Sequence, residues 1–477
     1  MNSNRRFFLK TAGIAGLELA GIKVQPSKTT LFPATPGSGK TNMCGYAAPP
    51  VETVRIGVIG LGNRGAAAAV RLTHLEGVRI IAVSDLLPSK TEAVLSRLKA
   101  RGHQPQSYSG TPEKWKELCG RDDIDLVYIA TPWRLHTPMA VYAMQHRKHV
   151  CVEVPVAQTV EECWQLVETS EQTRKHCMML ENACYDQFKL LTLNLVRQGI
   201  LGEVIHCEGA YIHDLLAASF AKDKYQDMWR LKENMNRQGN LYPTHGIGPV
   251  CQVLDINRGD CLDYILSVSG NDFMTGKMAD ELASEDPFYR SFAEKRYRGN
   301  MNLSILKTKR GKTIQLQHDV TSPRPRSRGY VVSGSKGTAV QLDGPGRISL
   351  ARDIRPEEWK SYPEHEWMGP EQLHKLEEAY NPAILKRIGD MAKQIGGHGG
   401  MDLLMDWRTI DCLRNGLPLD QDVYDAALWS AMVPLSEKSV SLGPALVRVP
   451  DFTRGAWKSN PKPDLSLEKG GNTNILL

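Results

Sequence analysis

Three glycines are spaced as the turn of a phosphate-binding site requires. Gly60, Gly62 and Gly65 follow the apolar run 54–59, and the next apolar run ends in Asp85. The first glycine allows a tight turn, the second lets the backbone approach a pyrophosphate, and the third lets a helix pack near the sheet. An acid at the end of the second strand accepts both ribose hydroxyls and repels a 2′-phosphate. The spacing therefore predicts NAD, a hydride carrier; the alternative is a glycine turn in a doubly wound sheet without a cofactor.

Three side chains are candidates for proton transfer. His245 titrates near neutrality and can accept a hydroxyl proton, and Tyr242 shares its face if this segment begins a helix. Tyr185 follows a predicted strand at the edge where such sheets open towards the nicotinamide. Each has a structural alternative, since a histidine also caps or packs at a helix start and tyrosines commonly line cores and pockets.

Alternating strands and helices predict the elements that carry these residues. Apolar runs over 126–131, 149–154 and 177–182 add strands to the first two, with helical stretches between them, which indicates a parallel sheet. Beyond Tyr185 the pattern changes to a helix and then to alternating strands such as 202–212 and 328–342. The predicted fold class is α/β, a Rossmann-type doubly wound parallel sheet followed by an α+β domain with a mainly antiparallel open sheet.

The predicted domain organisation has four parts. A signal and linker occupy 1–50, an NAD-binding domain 51–182, an α+β substrate and oligomerisation domain 183–445, and a polar, proline-containing tail 446–477. The first part contains Asn4-Arg5-Arg6-Phe7-Phe8-Leu9-Lys10 before a mildly apolar stretch, which resembles a twin-arginine export signal. That route carries folded proteins, so we expect a periplasmic enzyme that acquires its dinucleotide before export.

Composition narrows the function classes. The net charge of +6 arises from 59 basic and 53 acidic residues among 477, a near balance that does not indicate a nucleic-acid partner. The basic stretch 324–328 contains a proline and no aromatic residue, which favours a solvated loop or a contact to an anionic group. No apolar stretch is long enough for a membrane span. No spacing of histidine, cysteine or acidic residues gathers several ligands, so no metal site is predicted.

Two strand exits resemble a family of sugar oxidoreductases. Thr131-Pro132-Trp133-Arg134-Leu135-His136 and Glu153-Val154-Pro155 are similar to the T-P-x-x-x-H and E-K-P signatures of the enzymes related to glucose–fructose oxidoreductase and inositol dehydrogenase. In those dehydrogenases the lysine helps to polarise the reacting hydroxyl. Val154 stands in its place here, which argues against simple dehydrogenase chemistry.

Motifs of the second domain resemble glycoside hydrolase family 109, whose members are NAD-dependent α-N-acetylgalactosaminidases. The resemblance covers nearly the whole chain. It rests on the segments Glu181-Asn182-Ala183-Cys184-Tyr185, Trp229-Arg230, Gly239-Asn240-Leu241-Tyr242-Pro243-Thr244-His245-Gly246, Arg328-Gly329-Tyr330 and Gly396-Gly397-His398-Gly399-Gly400-Met401-Asp402.

The resemblance implies an oxidation–elimination route. Hydride leaves C3 of the sugar, the new ketone acidifies the C2 proton, elimination expels the C1 substituent, water adds, and hydride returns to C3. Such a site needs proton carriers and NAD but no paired acids. By this resemblance the catalytic residues are His245, Tyr242 and Tyr185.

The resemblance also implies the binding residues and a glycan with terminal N-acetylgalactosamine as substrate. Separately, an antiparallel sheet with one free face favours a homo-oligomer, a dimer, although the subunit number stays open. The cofactor would be held by Gly60, Gly62, Asn63, Arg64, Gly65, Asp85, Trp133, Arg134, Leu135, His136, Glu153, Val154, Asn182, Arg230 and Tyr242. The sugar would be held by Tyr211, Arg230, Tyr242, Pro243, Thr244, His245 and Tyr330.

Several questions stay open at the level of sequence. His398 receives no role. The natural glycan, its linkage and the acceptor of the C2 proton stay open, as do two other functions, a sugar dehydrogenase and a non-catalytic sugar- or NAD-binding protein.

Overall fold

The structure, a computed structural model, describes residues 41–357, 360, 363 and 365–477. The twin-arginine segment and most of the predicted linker lie outside the described residues. No helix in the described part of the chain is both long and apolar enough to cross a bilayer.

The first domain is a six-stranded parallel sheet with the strand order β3-β2-β1-β4-β5-β6. Its strands are apolar because helices cover both faces of such a sheet. The elements are β1 (Val54–Ile59), α1 (Asn63–Leu72), β2 (Val78–Asp85), α2 (Pro88–Lys99), β3 (Gln106–Ser109), α3 (Lys114–Cys119), β4 (Leu126–Ile129), α4 (His136–Gln145), β5 (His149–Val152), α5 (Val160–Thr173) and β6 (Cys177–Met179).

Three strands end earlier than the sequence predicts. β4, β5 and β6 stop at Ile129, Val152 and Met179, two or three residues before the ends of the corresponding apolar runs. The residues that follow leave the sheet at its carboxyl edge, beside the switch point between β1 and β4 where ligands of such sheets bind. β3 was not predicted, because this short edge strand is polar and lacks an apolar run.

The second domain contains an eight-stranded sheet with the order β13-β12-β11-β7-β10-β9-β8-β14. Only the pairing of β7 with β10 is parallel among the ladders of this described sheet, so the predicted mainly antiparallel sheet is confirmed. The elements are α6 (Gln187–Arg197), β7 (Val204–Ile212), α7 (Leu216–Phe220), α8 (Trp229–Glu233), α9 (Thr244–Val253), β8 (Leu262–Ser269), α10 (Thr275–Glu285), β9 (Met301–Thr308), β10 (Thr313–Asp319), β11 (Tyr330–Gly334), β12 (Gly337–Gln341), β13 (Arg347–Leu350), α11 (Pro370–Tyr380), α12 (Ala383–Ile395), α13 (Met401–Asn415), α14 (Val423–Ser441) and β14 (Val447–Arg448).

The segment 328–342 is a hairpin rather than the single strand expected from its alternation. β11 and β12 pair antiparallel, with Tyr330 opposite Gln341 and Ser333 opposite Thr338. Ser335 and Lys336 lie between them, so a two-residue connection interrupts an otherwise continuous apolar pattern.

The segment 446–477, predicted as a polar tail, packs against both domains. β14 pairs with β8, and Ile475 forms an isolated bridge with Leu75 of the first domain. Thr473 is fully buried, and its carbonyl accepts a hydrogen bond of 2.9 Å from the indole Nε1 of Trp407.

Candidate active site

The glycine turn after β1 has the shape that a pyrophosphate needs. Gly60 has φ +86°, and an added Cβ would lie 2.6 Å from the carbonyl oxygen of Ala130. At Gly65 an added Cβ would lie 1.8 Å from the Gly60 oxygen. A Cβ at Gly62 would meet no described atom within 4 Å, so this glycine faces open space. The turn is therefore closed on its protein side and open where a phosphate would approach.

The amino terminus of α1 and Asp85 complete this turn. No side chain of the described residues caps α1 at Gly62, which leaves backbone N–H groups of the first turn for an anion. Asp85 accepts hydrogen bonds from the backbone N–H of Leu61 at 2.7 Å and of Leu87 at 3.0 Å. The carboxylate is thus fixed beside the turn, where its remaining lone pairs suit ribose hydroxyls. The residues fit a dinucleotide.

Arg64 connects the cofactor turn to the second domain. Its guanidinium donates to Glu153 at 2.7 Å and to Asp402 at 2.9 Å, and it lies 3.2 Å from Nδ1 of His398. Asp402 also accepts from the Asn182 amide at 2.5 Å. Burial alone would raise the pKa of Asp402, but the hydrogen bond from His398 and the charge of Arg64 hold it well below its usual range. Asp402 therefore stays ionised and contacts Arg64, Asn182 and His398, which lie on three separate segments.

A buried carboxylate orients His245. Glu181 Oε1 lies 2.5 Å from Nδ1 of His245, and Glu181 is fully buried while His245 is 8% exposed. Burial lowers the pKa of His245 to about 4 against the opposing charge of Glu181. Burial would raise the pKa of Glu181, but His245 brings it below its usual value. A neutral imidazole beside an ionised carboxylate carries its proton on Nδ1, so Nε2 is free to accept one.

Aromatic rings surround this histidine. The Tyr211 and Tyr242 rings lie 5.3 and 5.1 Å from the imidazole and 4.7 Å from each other, measured between centroids. Trp133 stacks on Tyr242 at 5.6 Å. Helix α9 begins at Thr244, so Tyr242 precedes the helix that the sequence expected it to share with His245. The two rings are adjacent nonetheless, because the turn before α9 folds over the helix start.

Arg230 supplies the positive charge of this cluster. Its guanidinium carbon lies 5.6 Å from the Trp133 ring centroid and 5.1 Å from that of Tyr242. It also donates to the Tyr225 hydroxyl at 3.4 Å. Flat apolar rings that carry hydroxyl and guanidinium groups suit a ligand with both apolar and hydroxyl-bearing faces, such as a sugar ring.

Several predicted site residues lie elsewhere. The Tyr185 hydroxyl donates to Asp420 at 3.3 Å in a buried cluster, so its predicted catalytic role has no support from this geometry and stays a prediction. Tyr330 is 1% exposed and packs under Lys189, whose nitrogen lies 5.2 Å from its ring. Gly329 has φ +54° between the Ser327–Ile212 bridge and the ladder of β11 with β7, and the ring that follows it lies in the core.

The remaining predicted residues lie around the two strand exits and the start of α9. Both ring nitrogens of His136 lie 2.7 Å from backbone oxygens, those of Pro155 and Thr131, so this histidine braces the exits of β4 and β5. Val154 is buried beside them. The other members are the exposed Arg134, the half-buried Leu135, the buried Pro243 and Thr244, and Asn63, whose amide reaches the Lys224 oxygen at 3.4 Å.

Sequence reasoning missed two functional residues. Glu181 received no role although it stands at the carboxyl end of β6, the edge where ligands of parallel sheets bind. Asp402 was noted only as the end of a glycine-rich motif, yet it binds Arg64 and His398. An ionisable residue at a strand exit was the available signal for Glu181. No local signal paired Asp402 with Arg64, because 338 residues separate them.

The fold and site define a class of protein, a Rossmann-type enzyme with a second, sheet-based domain that carries a proton-transfer centre. Two family models match the chain: an oxidoreductase family with an NAD-binding Rossmann fold over residues 54–181, and the C-terminal domain of glycosyl hydrolase 109 over residues 185–459. The chain belongs to glycosyl hydrolase family 109. It is a glycoside hydrolase with an NAD-binding domain, as the sequence motifs predicted.

Curated relatives extend over most of the chain. An alpha-N-acetylgalactosaminidase of Bacteroides fragilis is 46% identical over 425 residues, which cover 88% of this chain and 96% of the relative. A glycosyl hydrolase family 109 protein of Shewanella pealeana is 42% identical over 461 residues, covering 96% and 98%.

Solved structures share the fold at low sequence identity. Levoglucosan dehydrogenase in complex with NADH has a TM-score of 0.61 at 16% identity, covering 84% of this chain and all of that one. The myo-inositol dehydrogenase of Lactobacillus casei has a TM-score of 0.55 at 18% identity, covering 84% and 99%. The predicted fold class, a Rossmann-type parallel sheet followed by a mainly antiparallel sheet, is confirmed.

Proposed function

We propose that this protein hydrolyses terminal α-linked N-acetylgalactosamine from glycans by transient oxidation at C3 of the sugar. The observation that carries the proposal is the Glu181–His245 pair, enclosed by Tyr211 and Tyr242 at the carboxyl edge of an NAD-binding sheet. The identity of 46% to an enzyme named for this activity supports the choice of sugar.

NAD, held by the glycine turn 60–65 and Asp85, would supply a hydride acceptor for C3 of the sugar and a hydride donor at the end of the cycle. The residues of the chain supply the proton transfers. Nε2 of His245 accepts the proton of the C3 hydroxyl, and Glu181 stabilises the positive charge that then develops on the imidazole. The C3 ketone acidifies the C2 proton, and loss of that proton expels the group at C1.

Tyr242 is suited to donate rather than to accept a proton. Burial raises the pKa of its phenol well above the usual value, so the hydroxyl stays protonated. A protonated phenol beside His245 can donate a hydrogen bond to a sugar oxygen that gains negative charge. Tyr242 therefore stabilises the sugar during elimination, and Tyr211 and Arg230 hold the ring against the aromatic wall.

The acids nearest this centre support a route without paired carboxylates. Ordinary glycosidases place two free carboxyl groups across the scissile bond. Here Glu181 is bound to His245 at 2.5 Å and Glu153 to Arg64 at 2.7 Å. Glu181 is engaged by a hydrogen bond to the neutral imidazole of His245 and Glu153 by an ion pair with Arg64, so neither is a free carboxyl group.

The experiment that tests this proposal follows p-nitrophenol release from p-nitrophenyl α-N-acetylgalactosaminide together with the redox state of the cofactor. Continuous release with no net formation of NADH supports the glycosidase. NADH that accumulates in proportion to sugar consumed, without nitrophenol release, contradicts it and indicates a dehydrogenase. Binding of the sugar with neither release nor NADH indicates a non-catalytic binding protein.

We further propose export by the twin-arginine route to the periplasm. The support is the Arg5-Arg6 pair with its following Phe-Phe-Leu-Lys segment. Cell fractionation of the full chain and of an Arg5→Lys, Arg6→Lys variant tests it. The full chain is expected in the periplasmic fraction and the variant in the cytoplasm, whereas equal distribution of the two contradicts the route.

We also propose a homodimer that packs the open face of the second sheet. Val268, Leu303 and Ile305 are 43–46% exposed on adjacent strands β8 and β9. A second copy would cover this apolar face. Light scattering at assay concentration is expected to give a dimer, and Ile305→Lys a monomer. A monomeric parent chain contradicts the proposal.

A further inference from the structure

A cleft of about 180 Å³ lies between the loop after β10 and the start of α13. Its walls include Arg326, Arg328, His398 and Met401, with Asp186 and Asp343 at its sides. It is separate from the aromatic wall of Trp133 and Tyr242 but shares His398 with the Arg64–Asp402 cluster.

The loop that carries the two arginines is bound to the strand that carries Tyr211. The backbone N–H of Ala210 donates to the Arg328 oxygen at 2.5 Å, and Ser327 forms an isolated bridge with Ile212. In extended backbone, alternate residues point to the same side, and both Arg326 and Arg328 line the cleft. The cleft is therefore the continuation of the site beyond Tyr211.

The two guanidinium groups are not consumed by ion pairs. Neither lies within 4 Å of a carboxylate in the described residues, and the Arg328 guanidinium contacts the Met401 sulfur at 3.2 Å. Both side chains line the same cleft, so their positive charges face a common space. Paired guanidinium groups that form no ion pair suit an anionic ligand.

The acids of the cleft do not neutralise these arginines. Asp186 accepts from the backbone N–H groups of Phe188 and Lys189 and so caps α6. Asp343 is exposed in the turn between β12 and β13. Neither acid lies within 4 Å of the guanidinium groups of Arg326 or Arg328, so the cationic side of the cleft stays available to a ligand.

We propose that Arg326 and Arg328 bind an anionic substituent on the leaving-group side of the glycan, a sulfate ester or a carboxylate of the sugar attached to N-acetylgalactosamine. This inference rests on the proposed function. The terminal sugar occupies the buried centre at His245, whereas Arg326 is exposed at the mouth, where the rest of the glycan leaves the site. Planar guanidinium groups bind both sulfate and carboxylate oxygens in pairs.

The test compares three disaccharides with N-acetylgalactosamine α-linked to galactose, to galactose 6-sulfate and to galacturonic acid. At low salt, kcat/KM is expected to be about tenfold higher for at least one anionic disaccharide than for the neutral one. The sulfated and uronic arms identify which anion is preferred. The preference is expected to shrink as salt rises, because the Debye length falls to about 3 Å at 1 M.

Variants separate the proposal from its alternatives. Arg326→Gln is expected to reduce the anionic-to-neutral ratio of kcat/KM by about fivefold, whereas Arg324→Gln, a matched change in the same loop that does not line the cleft, leaves the ratio unchanged. Equal kcat/KM for all three disaccharides overturns the inference while leaving the proposed function intact. Loss of NAD from Arg326→Gln also overturns it, since the cleft would then serve the cofactor. Failure to cleave any disaccharide contradicts the proposed function instead.

Discussion

Replacement of Glu181 by glutamine tests the orientation of His245. The change keeps the size of the side chain but removes the charge that faces Nδ1 at 2.5 Å. A glutamine amide can donate to Nδ1 and so favour the tautomer whose proton is on Nε2. That tautomer cannot accept the proton of the sugar hydroxyl.

The expected loss in kcat lies between two limits. A hydrogen bond between charged groups contributes about 1.5–3 kcal/mol, which corresponds to roughly 10- to 150-fold. The tautomer with its proton on Nε2 adds to this loss in kcat, and the equivalent change in a serine protease triad lowers kcat about 10⁴-fold. We therefore expect Glu181→Gln to lower kcat by about 10²- to 10⁴-fold with a much smaller effect on KM.

Steady-state nitrophenol release is the assay, with thermal unfolding and NAD content measured on the same preparations. Glu208→Gln is a matched control, because this half-buried carboxylate lies on β7 beside His206 and away from the site. A stable Glu181→Gln enzyme that retains NAD and keeps kcat within about threefold of the parent would refute the role of this pair.

Three further predictions follow from the same structure. His245 must be neutral to accept a proton, and burial lowers its pKa to about 4. The value of kcat/KM is therefore expected to stay flat as pH falls from 7 to 5 and to drop only near 4. A pH profile of kcat/KM with an apparent pKa near 6.5 would contradict this. Gly62→Ala is expected to fold normally but to bind NAD about tenfold more weakly in titration calorimetry; normal NAD affinity would contradict the role of the glycine turn. Gly65→Ala should lower the free energy of unfolding, measured with denaturant, by at least about 1–3 kcal/mol, because its Cβ meets the Gly60 oxygen. Asp402→Asn removes a buried carboxylate that lies 2.9 Å from Arg64 and 3.6 Å from Arg71, although Glu153 and Asp406 still pair with these arginines. The change is expected to cost about 1–3 kcal/mol in denaturant unfolding, against less than about 1 kcal/mol for Glu117→Gln in an exposed pair. Similar costs for the two would argue against a buried network.

The cofactor half of the site was largely predictable because its signals are local. Glycine spacing, the apolar run before it and Asp85 lie within 32 residues, and each has a steric or electrostatic reason for its position. The predicted ends of β4 and β6 were less accurate. Hydrophobic runs continue past the last ladder bond, since residues at a strand exit stay buried after they leave the sheet.

The catalytic half depended on contacts between distant segments. His245 was identified, but its partner Glu181 is 64 residues away and approaches it only when α9 packs against the turn 182–185 that follows β6. Tyr185 follows the same strand exit as Glu181, and sequence cannot show that the intervening turn directs its hydroxyl to Asp420. Likewise, Tyr330 belongs to an alternating strand, and the sequence does not show that its side of the strand is buried against the core.

The fate of the C2 hydrogen distinguishes the oxidation–elimination route from direct displacement at C1. The enzyme with bound NAD is incubated with p-nitrophenyl α-N-acetylgalactosaminide in heavy water, and the released sugar is examined by NMR and mass spectrometry. Oxidation–elimination predicts one deuterium at C2 of each released N-acetylgalactosamine, because the C2 proton leaves during elimination and a deuteron from the solvent replaces it. Released sugar that keeps its original hydrogen at C2 would show direct displacement at C1 and contradict the oxidation–elimination route.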